Sequence, residues 1–209
     1  MRLRHIKNSE EIINKNPYII SDPYQYKGKW NKVFNNDNPI YIEIGMGKGK
    51  FIIENAYKYP HINFIGIEKY SSVMIRALKK LDIDNIPNLK LICIDALELN
   101  NIFDKEISLI YLNFSDPWPK DRHAKRRLTS NIFLNIYENV FIDKINIIQK
   151  TDNYNLFNYS KEQYLINNYE IESISYNKDN IPLDNITTEY EEKFLELDNY
   201  IYKIKALKK

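Results

Sequence analysis

The sequence predicts an α/β fold: a Rossmann-like, mostly parallel seven-stranded sheet, flanked by helices, whose last strand adds antiparallel. Three observations carry this expectation. From Pro39 onward, short apolar runs rich in Ile, Tyr and Val alternate with stretches of helical period. Four of the five glycines, at 45, 47, 49 and 66, crowd into the first strand–helix–strand unit. Carboxylates stand at or near the ends of the first three runs: Glu43, Glu68 and Asp95.

The elements follow in order. Strands are expected at 40–44, 62–67, 89–94, 107–113 and 145–150, then at 170–176 and 197–206. Helices are expected at 50–58, 71–82, 129–142 and 154–167. In the second helix Val73, Met74, Ala77, Leu78 and Leu81 share a face, and Ser71 or Ser72 is placed as N-cap. Residues 1–38 are polar, with Pro17, Pro23 and an aromatic-basic stretch Tyr24–Trp30. They form an N-terminal extension to a single domain over 39–209, with no repeat or Gly/Ser linker.

A chain of 209 residues is long enough for one full hydrophobic core. With 44% hydrophobic and 28% charged residues it reads as a soluble globular protein. It is charged from the second residue, and no apolar run reaches membrane-spanning length, so neither secretion nor a membrane is expected. Cys93 is alone and sits in the apolar run Leu89–Ile94, which suggests a small buried strand residue and a reducing, cytoplasmic setting. Net charge is only +2, but Lys120–Arg127 alone carries +4, leaving about −2 for the rest. The positive charge is local, as a phosphate-contacting patch is.

Gly45, Gly47 and Gly49 follow the first strand and lead into a helix, where glycine permits positive φ and close backbone approach to a ligand. A dinucleotide fingerprint wants Gly or Ala at position 50, which is Lys50. Glu43 just before the loop would repel a pyrophosphate but can hold a cationic amino-acid end. Glu68 suits ribose hydroxyls and Asp95 an adenine amino group. The set favours S-adenosylmethionine over a nicotinamide cofactor. After strand four, Asp116 enters Ser115-Asp116-Pro117-Trp118-Pro119-Lys120, a loop stiffened by two prolines. The basic run follows it. A rigid acidic-aromatic corner beside a cationic arm suits a flat base attached to a polyphosphate backbone.

These motifs together resemble the bacterial tRNA (guanine-N(7)-)-methyltransferase family. The likeness is carried by E-I-G-M-G-K-G-K-F, G-I-E, the strand-three Asp, N-F-S-D-P-W-P-K-D-R-H-A-K-R-R, K-T-D-N and T-E-Y-E-E-K-F, collinear from about Tyr24 to Phe194. The resemblance implies a class I S-adenosylmethionine methyltransferase fold and methylation of the variable-loop guanine (position forty-six) of tRNA. It also implies a cytoplasmic enzyme that yields S-adenosylhomocysteine, needs no metal and works as a monomer or homodimer. Glu43, Gly45, Gly47, Gly49, Glu68, Asp95 and Asp116 would contact the cofactor, with Asp116 also catalytic. Lys120, Asp152, Thr188, Glu189, Tyr190 and Glu191 would contact the substrate, and Arg122, His123, Ala124, Lys125, Arg126 and Arg127 the RNA. Residues 1–38 would add to the RNA surface.

Three of these residues have a second reading. Asp152 suits an N-cap for the helix near Tyr154, and Thr188 with Glu191 has the spacing of a capping box. One departure concerns the turn before strand five: the family pattern suggests an L-K-P-G-G turn, and Phe141–Asn146 has neither Gly nor Pro. The alternatives are an S-adenosylmethionine methyltransferase acting on another RNA or a small molecule, and a non-catalytic tRNA-binding protein of the same fold.

Overall fold

In the computed structural model, residues 6–81, 86–177, 186–197 and 200–209 are described. Two short helices, α1 (Ser9–Asn14) and α2 (Trp30–Phe34), precede the sheet. The alternating part runs β1 (Ile40–Ile44), α3 (Lys50–Lys58), β2 (Asn63–Ile67), α4 (Ser71–Leu78), β3 (Leu89–Ile92), α5 (Leu99–Ile102), β4 (Ile107–Asn113), α6 (Asn131–Glu138), β5 (Ile145–Thr151) and α7 (Tyr154–Ile166). Then come β6 (Glu170–Asn177), α8 (Glu189–Glu196) and β7 (Ile201–Lys208).

The seven strands lie in the order β3-β2-β1-β4-β5-β7-β6. Parallel pairs place Ile42 beside both Ile65 and Ile110. The last strand, β7, breaks the pattern as expected: it runs antiparallel to β5, with Gln149 opposite Ile204, and antiparallel to β6, which therefore points the same way as β1–β5. Chain order reverses between β1 and β4, so their carboxyl ends frame the crevice in which open α/β sheets bind ligands.

Strand alternation divides the core between two faces. Ile42, Ile65, Ile67, Ile110 and Leu112 pack with Trp30, Phe103, Leu134 and Tyr137. Phe64, Leu89 and Leu91 face the other way, onto Ile52, Met74, Ala77 and Leu81. The polar segment before the sheet joins through a few anchors. Trp30 is fully buried, and its Nε1 donates to the carbonyl of Ile102 at 2.7 Å. The Trp30 amide donates to Glu106 at 2.9 Å. Leu91 donates to the Tyr18 carbonyl at 2.8 Å and accepts from the Ile20 amide at 3.0 Å, so the chain at 18–20 lies along β3.

Several local expectations change. Strand 89–94 stops at Ile92; Cys93 lies just past it, half-buried, its thiol pushed up to about 11 by burial. Helix 71–82 ends at Leu78, with Leu81 still buried and position 82 outside the described residues. Its N-cap is Tyr70, without a side-chain bond, because the Ser71 hydroxyl pairs with that of Ser9 at 2.6 Å. Val73 on the expected face is half-buried, whereas Ile75 is buried. Helix 129–142 shrinks to 131–138, since Phe141 forms a bridge beside Ile107. That bridge makes the turn into β5 without glycine or proline. Helix 154–167 ends one residue early. Strand 197–206 is found at 201–208; its expected positions 198–199 lie outside the described residues.

Candidate active site

The site sits where β1 and β4 diverge. Gly45 and Gly47 adopt φ of 76° and 58°, and a Cβ built on either meets nothing within 4 Å. The loop therefore borders open space while its backbone takes a conformation that side chains disfavour. Gly49, at φ 77°, serves packing instead. A Cβ there would come within 3.0 Å of the Ala77 side chain, so this glycine lets α3 close against α4. The loop hangs from β2 by the amides of Gly45 and Met46, which donate to the Ile67 carbonyl at 2.8 and 3.0 Å. The Gly47 amide donates to Glu68 at 3.1 Å, and the other Glu68 oxygen accepts from the Tyr70 amide at 3.0 Å. Burial outweighs these bonds and raises the Glu68 pKa above the usual carboxylate value.

Beneath the loop lies Glu43, 2% exposed. Its Oε1 accepts from the Asn113 amide at 2.9 Å, and its Oε2 has no partner among the described residues. Burial pushes the carboxyl up to about 8, against the Asn113 bond and the Lys150 charge, which both lower it. Buried polar atoms are nearly always hydrogen-bonded, so this orphaned oxygen calls for a partner that the described residues do not supply. The cleft above is lined by Glu43, Gly45, Met46, Gly47, Lys48 and Phe51 on one side, and by Asn113, Phe114, Thr188, Glu189 and Tyr190 on the other.

Phe114 and Tyr190 form a near-parallel ring pair with centroids 6.4 Å apart and planes 19° from one another. Phe114 sits at φ 50° and Trp118 at φ 42°. Such φ values cost bulky residues about 1–3 kcal/mol each and cluster at functional sites. The loop that follows β4 is held by Arg127, whose Nε and Nη2 donate to the carbonyls of Pro117 and Trp118, both at 3.0 Å. The same guanidinium stacks over Tyr159 at 4.2 Å. Arg126 lies over the Trp118 ring at 4.9 Å, and His123 meets that ring edge-on. The basic run itself is a 3-10 helix over Asp121–Arg126, with Arg122, Lys125 and Arg126 exposed.

The expected site residues separate into groups. Glu43, Gly45, Gly47, Thr188, Glu189 and Tyr190 meet at the cleft. Glu68 stands behind the glycine loop as its brace. Asp116 is exposed beside the cleft, near enough to Glu68 to act on its charge. Asp95 is outside the cleft lining: one oxygen caps the Leu97 amide at 3.0 Å and the other accepts from Lys69 at 2.6 Å. Burial raises its pKa, but Lys69 and the cap more than offset this and hold it low. Asp152 takes no part in capping α7, because Asn153 is the cap and accepts from the Leu156 amide at 2.8 Å. Thr188 and Glu191 do form a capping box: Thr188 Oγ1 accepts from the Glu191 amide at 2.9 Å, and Glu191 Oε2 accepts in return at 3.4 Å. Glu191 is 2% exposed and absent from the cleft lining.

Sequence reasoning missed six members of this site, among them the apolar lining residues Met46 and Phe51. Phe114 and Asn113 end an apolar strand and read as strand residues. Lys48 is masked by the chain's abundance of lysine. Lys150, 4% exposed, closes β5 and donates to both Glu191 oxygens at 3.1 and 3.0 Å. Its place just before Thr151-Asp152-Asn153 was the only available signal.

Comparison with known proteins agrees with this geometry. A family model described as "Putative methyltransferase" matches residues 37–204. The tRNA (guanine-N(7)-)-methyltransferase of Lachnoclostridium phytofermentans is 47% identical, covering 100% of this chain and 99% of its own. The proteins of the same name from Geobacillus sp. and Bacillus velezensis are each 48% identical, over 97% of this chain and 94% and 95% of theirs. Among solved structures, an antibiotic-related methyltransferase superposes with a TM-score of 0.64 at 14% identity, covering 85% of this chain and 92% of that one. A 16S rRNA (adenine(1408)-N(1))-methyltransferase with cosubstrate SAM from Catenulisporales acidiphilia superposes with a TM-score of 0.62 at 12% identity, over 89% and 91%. Near-complete coverage at this identity settles the kinship: the chain belongs to the tRNA (guanine-N(7)-)-methyltransferase family.

Proposed function

We propose that this chain transfers the methyl group of S-adenosylmethionine to N7 of the variable-loop guanine of tRNA, at position forty-six. The observation that carries the cofactor is the unpaired Oε2 of buried Glu43 beneath the open glycine loop. A cationic ammonium suits that oxygen, and the pyrophosphate of a dinucleotide does not. Gly45 and Gly47 would line the methionyl end, with Glu68 bracing the loop from which its ribose is reached. Asp95, held ionised by Lys69, would serve the adenine side. Bound there, the cofactor supplies an electrophilic methyl group on a sulfonium.

The chain's own residues then have to orient and charge-match the base. Guanine N7 has an in-plane lone pair and no proton at neutral pH, so attack on the methyl group requires no general base. The purine becomes cationic as the bond forms, and a nearby carboxylate lowers that barrier. Asp116, exposed two residues after the cleft-lining Phe114 and close enough to Glu68 to act on its charge, is the residue assigned to this role, with Asp152 and Lys120 on the substrate side. The parallel rings of Phe114 and Tyr190 favour a flat heterocycle, and Thr188 and Glu189 complete the wall. Exposed Arg122, Lys125 and Arg126 on the 3-10 helix would neutralise RNA phosphates, while Arg127 serves them indirectly by holding the loop. His123 and Ala124 lie on the same turn. Residues 1–38 form the extension to the catalytic domain 39–209 and would widen the RNA surface. The reaction belongs to the cytoplasm, where tRNA is matured.

Incubating the full chain with unmodified tRNA and labelled S-adenosylmethionine, then mapping the labelled base, tests this reading. One N7-methylated guanine in the variable loop is expected. Label on another nucleotide, or none, would overturn it.

A further inference from the structure

We infer that Lys150 is a positioning residue for methyl transfer. Through Glu191 it fixes the first turn of α8, so that Thr188, Glu189 and Tyr190 form one wall of the cleft. Glu191 itself acts as the other half of this anchor and does not touch the guanine. The inference rests on the methyltransferase reading of the cleft.

Among the described residues, three lysine–glutamate pairs tie the start of α8 to the rest of the molecule. Glu192 pairs with Lys50 at the start of α3, Glu189 with Lys80 just after α4, and Glu191 with Lys150 at the end of β5. The first two are partly exposed, with side chains 20–49% accessible. Pairs of that kind contribute little, because water screens them and both side chains lose freedom. The third differs in kind: its side chains are 5% and 3% exposed, and Lys150 meets both carboxylate oxygens. Removing either partner leaves the other as an uncompensated buried charge, a strongly destabilising change.

The geometry separates anchoring from contact. Glu191 accepts from Lys150 with both oxygens and from the Thr188 amide with one, and it is not among the cleft-lining residues as its neighbours are. Lys150 also lies over the ring of the cleft-lining Phe51 at 5.6 Å and acts on the charge of Glu43, so the anchor packs directly against residues of the cleft. Tyr190 faces Phe114 only while this turn is held, and displacements of about 1 Å at a reacting centre cost on the order of 100-fold in rate.

Three variants decide the matter: Lys150→Met, Glu191→Gln, and the two combined. Gln keeps the acceptor of the capping box, and the double variant removes both charges together, a change that buried pairs often tolerate. Each single variant should lower kcat on tRNA about 100-fold, with KM for tRNA little changed because the exposed arginines lie elsewhere. Amide hydrogen exchange over 189–193 should quicken in the single variants. The double variant should return most of the lost kcat and restore protection. If a single variant fails to fold, the comparison of the double variant with wild type decides alone. A folded double variant as inactive as Glu191→Gln would show direct substrate contact and overturn the inference, as would single variants that exchange at the wild-type rate. Exchange reads the anchor without turnover, so a wild-type chain that methylates no tRNA would refute the functional reading and leave the anchor decided by exchange alone.

Discussion

Glu43→Gln is expected to make the ligand-free protein more stable at neutral pH and a poorer cofactor binder. The side chain is 2% exposed, its Oε1 is held by Asn113 and its Oε2 lacks a partner among the described residues. Burial raises its pKa from 4.5 to about 8. Below the lower value the group is protonated in both states and the shift has no effect on stability. Between the two values the unfolded chain has lost its proton and the folded chain keeps it, so each step up in pH favours unfolding. The loss accumulates at about 1.4 kcal/mol per pH unit, reaching about 3 kcal/mol at pH 7 and levelling off above the folded value. Glutamine removes this dependence. Its own unpaired N–H adds a penalty of about 1–3 kcal/mol, but one that pH does not change. Urea unfolding of both proteins at pH 5 and pH 7.5 isolates the effect: the difference should move by about 3 kcal/mol in favour of the variant. Calorimetry should also show at least about tenfold weaker S-adenosylmethionine binding, the worth of one hydrogen bond to a charged group. A stability difference equal at both pH values would refute burial as the cause.

Four further outcomes follow from the same geometry. Asp116→Asn, at an exposed position, should leave thermal unfolding unchanged and lower kcat about 100-fold in a tRNA methylation assay; near-normal turnover contradicts its role. Arg127→Ala should lose about 1–3 kcal/mol in urea through the carbonyls it now serves. Arg122→Ala with Lys125→Ala should leave stability alone and shallow the salt dependence of tRNA binding by roughly 1.4–1.8 in log–log slope. Equal effects of the two changes on both measurements would erase the distinction between brace and phosphate contact. Trp30→Ala should cost about 3–5 kcal/mol of unfolding free energy, and a loss below about 1 would mean the N-terminal segment is not part of the core.

How far the fold could be read in advance varied with what each residue had to reveal. Strands β1 and β4 match expectation at both ends because their Ile-rich runs are bounded by Pro39 and Gly45 in β1, and in β4 begin after Glu106 and close on the polar Asn113. Short helices α1 and α2 were illegible: their stability comes from tertiary anchors such as Trp30, and propensity over five or six residues decides little. Caps failed where two candidates were adjacent. Ser71 is bonded to Ser9 from 62 residues away, and Asn153 took the place offered to Asp152. Within the basic run, Arg126 and Arg127 look alike in sequence; only the turn of the 3-10 helix sends one over Trp118 and the other under the loop. Lys150 read as a strand residue because its meaning depends on Glu191, 41 positions later.

The insertion of β7 between β5 and β6 sets an order on assembly. Neither of those strands can complete its ladder until residues 201–208 exist, and α8, which walls the cleft, lies in the connection between β6 and β7. Pairing across such sequence separation is slow compared with the local βα units that precede it. During synthesis the glycine loop and the carboxylates of β1 and β2 can therefore form first, as half of a site without a wall. The cleft is complete only once β7 has paired with both β5 and β6 and α8 supplies its wall.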